Sequence, residues 1–143
     1  EPRDLDKTPD GSWVVADTTL GLLFVIAADG SSVERMSVPL NDVSTVTSDA
    51  SHVFVGGADG VVRIGWPDGP TEVIDERSVD GLHVANGILW GTNTEWGVFE
   101  VNGSRRLEIP GLRRAGRMAG NNPLLVADPL LGNVWAVDMD AIE

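Results

Sequence analysis

The stretch LLVADPLLGNVWAVD, residues 124–138, contains two short apolar runs joined by a turn that closes on Gly132. Nearly the same phrase stands far upstream, as WVVADTTLGLLFVIAADG at residues 13–30. Between them the pattern recurs twice more. Four apolar cores align: WVVAD from Trp13, VFVGG from Val53, ILWGT from Ile88 and LLVAD from Leu124. Each runs into a turn that ends on a glycine (Gly21, Gly60, Gly97 and Gly132), at successive spacings of 39, 37 and 35 residues. A second apolar run follows each turn: LLFVIAADG, VVRIGWPDG, VFEVNG and NVWAVD. Upstream of each core lies a further segment ending in a turn: LDKTPDG, STVTSDA, LHVANG and GRMAGNN. Downstream of the first three comes a fourth: SVERMSVP, PTEVIDERS and SRRLEIP.

Each unit is therefore four short strands, a to d, in roughly 37 residues. The DG, NG and NN pairs supply the positive φ that tight hairpin turns require. The middle strands are apolar at consecutive positions rather than alternating, as expected of a sheet covered on both faces. No 3.6-residue stripe survives the Gly and Pro punctuation, so helices are excluded. Four-stranded units at this period predict an all-β chain built as β-propeller blades. The chain reads as one domain, residues 1–143, with blades at about 1–39, 40–78, 79–110 and 111–143. The fourth blade ends at DMDAIE and lacks a d strand. Only Glu1 and Pro2 precede the first inner strand, so closure by an N-terminal strand is not expected. Three arrangements remain open: a four-bladed ring closed by packing alone, a partial ring that pairs with another chain, or part of a longer propeller. An open arc exposes apolar faces and strand edges, which favours pairing, as a two-fold dimer.

Composition narrows the chemistry. Without cysteine there are no disulfides, thiolate metal sites or Cys nucleophile. A net charge of −12 repels phosphate backbones, so neither nucleic acid nor an anionic membrane surface is an expected partner. The longest apolar run, residues 20–28, has strand length and falls far short of a bilayer span. No cleavable signal pattern opens the sequence, and nothing in it fixes a compartment. Nine arginines against one lysine point to a GC-rich bacterial genome. Half of the basic residues fall within thirteen positions: Arg105, Arg106, Arg113, Arg114 and Arg117.

The phrases PRDLDKTPDGSWVVADTTLGLLFVIAADG and LLVADPLLGNVWAVD resemble NHL repeats and blades of the gluconolactonase/senescence-marker-protein family. Strictosidine-synthase-like propellers share the phrasing. The resemblance covers all four units and implies the fold more specifically than any activity. Family lactonases are six-bladed and hold a divalent cation in the channel through Glu, Asn and Asp, the Asp also serving in catalysis. By resemblance, VDGLHVANGILWG places the catalytic and metal candidate at Asp80, and LNDVSTVTSDASHVFVGG places a metal candidate at Asn41. The remaining ligand slots hold Arg3 in blade one and Arg114 with Ala115 in blade four, a departure from the family pattern. A Ca²⁺-like cofactor would there meet guanidinium groups in place of oxygen ligands. No cofactor is therefore expected.

In a propeller, the entry into strand a and the b–c turn lie on one rim of the ring. That rim collects Arg3, Asn41, Asp80 and Arg114 at the strand-a starts, and Trp96, Leu130 and Leu131 in the turns. Trp96 reads either as a binding anchor or as a side chain folded back over its own blade. Arg114 reads as a grip on a carboxylate or as a plug paired with Asp80 or Asp4. Trp13, Trp90 and Trp135 fall within strands and are expected in the core. Two histidines and no GxSxG motif leave a hydrolase triad without support. The expectation is a non-catalytic binding module that takes a protein partner, a second copy or a small polar ligand. The alternative is a divergent metal-dependent lactonase.

Overall fold

The computed structural model describes residues 1–142. Its strands form four separate antiparallel sheets in chain order. Blade one comprises β1 (Pro2–Lys7), β2 (Trp13–Asp17), β3 (Leu22–Ile26) and β4 (Val33–Ser37). Blade two comprises β5 (Thr45–Ser48), β6 (His52–Gly57), β7 (Gly60–Gly65) and β8 (Thr71–Asp75). Blade three comprises β9 (Gly81–Ala85), β10 (Ile88–Asn93), β11 (Gly97–Glu100) and β12 (Arg106–Leu107). Blade four has only β13 (Met118–Gly120), β14 (Leu124–Asp128) and β15 (Asn133–Val137), followed by a 3-10 turn at Met139–Ala141. The buried Met139 of that turn packs against the blade-four core.

The turns show why the repeat has its sequence. Asp17, Asn93 and Asp128 end the b strands, and each side chain accepts the backbone N–H three residues on, at Leu20 (3.0 Å), Trp96 (2.6 Å) and Leu131 (3.1 Å). The closing Gly21, Gly97 and Gly132 then take φ of 63°, 69° and 70°, a region costly for other residues. Blade two uses a shorter turn with Gly57 at the Asp position, where a Cβ would come within 1.6 Å of the Asp42 carbonyl oxygen. The Asn86–Gly87 pair forms the predicted hairpin turn with both residues at positive φ. The expected turn at Asn121–Asn122 is built differently. Gly120 supplies the positive φ, and the Asn121 side chain accepts the Asn86 N–H of the preceding blade.

Three apolar clusters fill three seams. Val14, Ala16 and Leu23 of blade one pack with Val46, Val53, Val55, Val62 and Ile64 of blade two. Phe54 and Val61 of blade two pack with Leu82 and Phe99 of blade three. Trp90 and Val98 of blade three pack with Leu124 and Val126 of blade four. Among the described residues, no apolar cluster joins blade four to blade one. Trp13 departs from the core expectation for this reason. It lies on the face of blade one that has no blade in front of it, and stays 39% exposed while Trp90 is fully buried.

Candidate functional site

The four inner strands place their entries around one channel mouth. There a cavity of about 330 Å³ is lined from every blade: by Arg3, by Ser44, by Asp80, and by Arg114 with Arg117. Pro129 of the blade-four b–c turn completes the wall. Below it a second recess, about 220 Å³, is lined by residues that include Asp4, Thr47, Leu82, His83 and again Arg117. Arg117 thus stands between the two spaces.

A belt of polar contacts fixes this geometry. The Asp4 carboxylate accepts from the Thr45 hydroxyl (2.9 Å) and the Val46 N–H (2.9 Å) of blade two, and pairs with Arg117 of blade four (2.7 Å). The Thr45 hydroxyl in turn accepts the Leu82 N–H of blade three (3.1 Å). The Thr92 hydroxyl donates to the Gly116 carbonyl of blade four (2.7 Å). Arg117 also donates to the Arg3 carbonyl (2.9 Å). Each blade is therefore tied to the next by a hydrogen bond at the channel, and blade four is tied back to blade one by Arg117 alone in this belt. The plug expected of Arg114 is supplied by Arg117, three positions on. Arg117 was visible only as one of five clustered arginines, because its reach across the ring is a property of closure and not of the repeat.

Charge at the mouth is unevenly committed. Arg117 is neutralised by Asp4, and Arg3 stands 3.9 Å from Glu1. Arg114 is exposed and makes no ion pair among the described residues. In a chain of net charge −12, three guanidiniums therefore meet one lining carboxylate, Asp80. Behind this wall Asp128 is buried. Its burial opposes ionisation, but the backbone N–H groups of Arg113, Leu131, Arg114 and Leu130 outweigh that and hold its carboxyl below the usual range. The same carboxylate thereby fixes both the strand-a entry beside Arg114 and the turn beside Pro129 (Arg113 N–H, 2.7 Å).

The other rim candidates lie outside the cavity. The Asn41 backbone N–H donates to Asp59 (3.0 Å), and Asn41 does not share the space that Asp80 lines. Leu130 and Leu131 project from their turn and are exposed. Trp96 folds back over its blade: its ring lies 6.1 Å from Phe99 and is flanked by the guanidiniums of Arg77 (4.7 Å) and Arg106 (5.5 Å). Arg77, which no motif singled out, is itself gripped by Asp75 (2.6 Å) and donates to the carbonyls of Glu100 (3.2 Å) and Gly103 (2.9 Å). His83 bonds the Gly120 carbonyl of the next blade. Among the described residues no group of three or more His, Asp and Glu side chains is placed to hold a metal ion.

Fold and channel together define a β-propeller of four blades. No family model matches the chain, and no curated protein matches it by sequence. Solved structures do match in fold. The computationally designed Ika4 protein aligns with a TM-score of 0.66 at 11% identity, over 96% of this chain and 91% of that one. U3-55K aligns with a TM-score of 0.63 at 13% identity, over 94% and 51% of the two chains. Virginiamycin B lyase from Staphylococcus aureus aligns at 0.61 and 15% identity, over 99% and 56%. The chain thus spans about half of each of the last two proteins. At these identities the likeness concerns the fold alone.

Proposed function

We propose that the protein is a non-catalytic binding module built of NHL-like or gluconolactonase-like blades. Its channel mouth receives a carboxylate, borne by a small polar ligand or by an acidic segment of a protein partner. Its exposed blade faces recruit another chain. The observation that carries the mouth reading is the four-blade cavity with Arg3, Arg114 and Arg117 on its wall, Arg114 having no ion pair among the described residues. Guanidinium forks suit carboxylates geometrically as well as electrostatically. Trp96 lies outside the cavity and in this reading does not touch the ligand.

The lactonase alternative asks Asp80 and Asn41 to share a divalent cation such as Ca²⁺, and only Asp80 lines the cavity. Thermal melts at low salt separate the two. Citrate is expected to raise Tm saturably in the native protein and not in Arg114→Ala. An oligoglutamate peptide acting in place of citrate would assign the site to an acidic protein segment. A Ca²⁺-dependent rise that disappears in Asp80→Ala would replace the binding reading with the lactonase. Indifference to citrate and peptide alike would overturn the carboxylate assignment.

A further inference from the structure

Nine large hydrophobic side chains are exposed among the described residues, and their distribution is not uniform. Leu5 (58%), Trp13 and Val33 (61%) lie on one face of blade one, and Leu125 (37%) and Val134 (63%) on one face of blade four. Leu20, Leu130 and Leu131 sit in the b–c turns of these same two blades, and only Val73 belongs elsewhere. Strand register confirms that each group is a single face. Leu5, Val15 and Phe24 stand in one cross-strand row, and Lys7, Trp13, Ile26 and Val33 in the next. Leu125 pairs with Ala136, and Ala127 with Val134. A recess of about 220 Å³ opens on the blade-four face, lined by Arg117, Met118, Ala119, Leu125, Ala127 and Val134.

These faces are the two halves of one kind of interface. Aligning the b–c turns makes Val14 and Ala16 of blade one equivalent to Leu125 and Ala127 of blade four. It likewise makes Val46 and Val55 of blade two equivalent to Leu5 and Val15 of blade one. In the filled first seam, Val14 and Ala16 pack in one cluster with Val46 and Val55. Blade four therefore presents the surface that blade one shows to blade two, and blade one presents the surface that receives it. The flanking charges are mixed, since Arg117 lines the blade-four recess and faces Asp4 of blade one. Blade one's open face carries Lys7 and Arg35, stacked on Trp13 (6.0 Å) and Phe24 (5.9 Å). The alternation of Val134 and Ala136 on blade four ends at Asp138.

We propose that the occupant of this seam is a second copy of the chain, blade one of each copy seating on blade four of the other. The inference rests on the second half of the reading above, recruitment by exposed blade faces. A second copy brings both complementary faces, so a two-fold pair covers all four open surfaces with two identical seams. The Arg117–Asp4 tie crosses the same seam within one chain, so pairing exchanges it for the equivalent tie between copies.

Because the chain has no cysteine, the contact can be trapped cleanly. Leu5→Cys and Leu125→Cys chains are prepared separately, mixed and oxidised, and the mass is followed by light scattering after size exclusion. The unmodified chain is expected at twice 15.2 kDa, and the mixture should give a disulfide-linked heterodimer. Val134→Asp should be a folded monomer by circular dichroism, while Leu130→Asp on the rim keeps the dimer. Three results would overturn the proposal. One is a monomer whose Leu5→Cys/Leu125→Cys double variant closes its disulfide within the chain. Another is a dimer lost through Leu130→Asp but not Val134→Asp. The third is a ladder of larger aggregates without a defined dimer, which would assign the faces to blades of other sequence. Arg114→Ala should leave the mass unchanged, so failure of the mouth reading and failure of the seam are read on different variants.

Discussion

Leu124 and Leu125 are adjacent and chemically identical, yet they live in different surroundings. Leu124 points into the seam between blades three and four and is fully buried; Leu125 points toward blade one and keeps 37% of its surface. Successive strand residues face opposite sides of a sheet. A blade therefore offers two apolar faces, and each is core only if a neighbour stands in front of it. The comparison extends to whole seams. Between blades two and three, Phe54, Phe99 and Leu82 interlock, and Arg77 clamps the edge. Between blades four and one the described contacts are polar and cluster at the channel, around Arg117. A repeat sequence encodes the faces; the number of blades decides which of them are interior.

Truncating each leucine in turn separates the two environments most widely. Leu124→Ala is expected to cost about 2–5 kcal/mol in chemical denaturation, whatever the protein concentration. Leu125→Ala should cost little in a dilute monomer, and progressively more as concentration rises and the open face becomes covered. Equal, concentration-independent losses would show that the fourth seam is as closed as the third.

The two clamps come next. Arg77→Ala removes the partner of Asp75, whose carboxyl is held low by Arg77 and the Asn102 N–H against the opposing effect of burial. With the side chain of Asp75 6% exposed, the loss should be about 3 kcal/mol. It should also release Trp96, so its fluorescence shifts red. Asp4→Ala leaves the Val46 N–H, the Thr45 hydroxyl and Arg117 without their acceptor, and should cost about 1–3 kcal/mol in urea. Arg117→Met removes only the cross-channel tie and should cost less than Asp4→Ala. A larger loss from Arg117→Met would mean that the ring is held shut mainly at blade four.

Most of the scaffold is legible in the sequence. Consecutive apolar residues announced sheets covered on both faces, and the Gly-ended turns marked their spacing. The Asx role of Asp17, Asn93 and Asp128 was also available, as an acid or amide four residues before each closing glycine except in blade two. What the chain pattern did not carry is what depends on ring position. Trp13 occupies the slot of Val53 and Leu124, so its repeat position predicts burial; it is exposed because no blade among the described residues packs against that face. Arg117 and Arg114 are likewise neighbours in a basic cluster, and nothing local says which reaches across the channel. The mouth was identified as a surface from topology alone. Which side chains converge there depended on where Asp4 and Thr45 anchor the inner strands.

The smallest expected effect tests a link at the opposite end of the blades from the mouth. The Trp66 indole N–H, in the c–d turn of blade two, donates to Asp10 in the a–b turn of blade one (2.9 Å). The Thr8 hydroxyl donates to the same carboxylate oxygen (2.5 Å). These two bonds lead the causes that lower the Asp10 pKa from 3.8 to about 2. A carboxyl depressed in the folded state contributes stability that is full above its unfolded pKa and is lost as pH falls through its folded value. The Asp10 contribution is therefore present above about pH 4 and fades between roughly pH 4 and 2. Asp10 is exposed, so solvent screening keeps the effect to no more than about 0.5 kcal/mol. Trp66→Phe removes the donor and keeps most of the apolar bulk. Its acid titration of stability should be shallower than that of the native protein, with the two curves converging near pH 2. Parallel curves would show that Trp66 stabilises this seam by packing against Met36 and its neighbours, and that its hydrogen bond contributes nothing measurable.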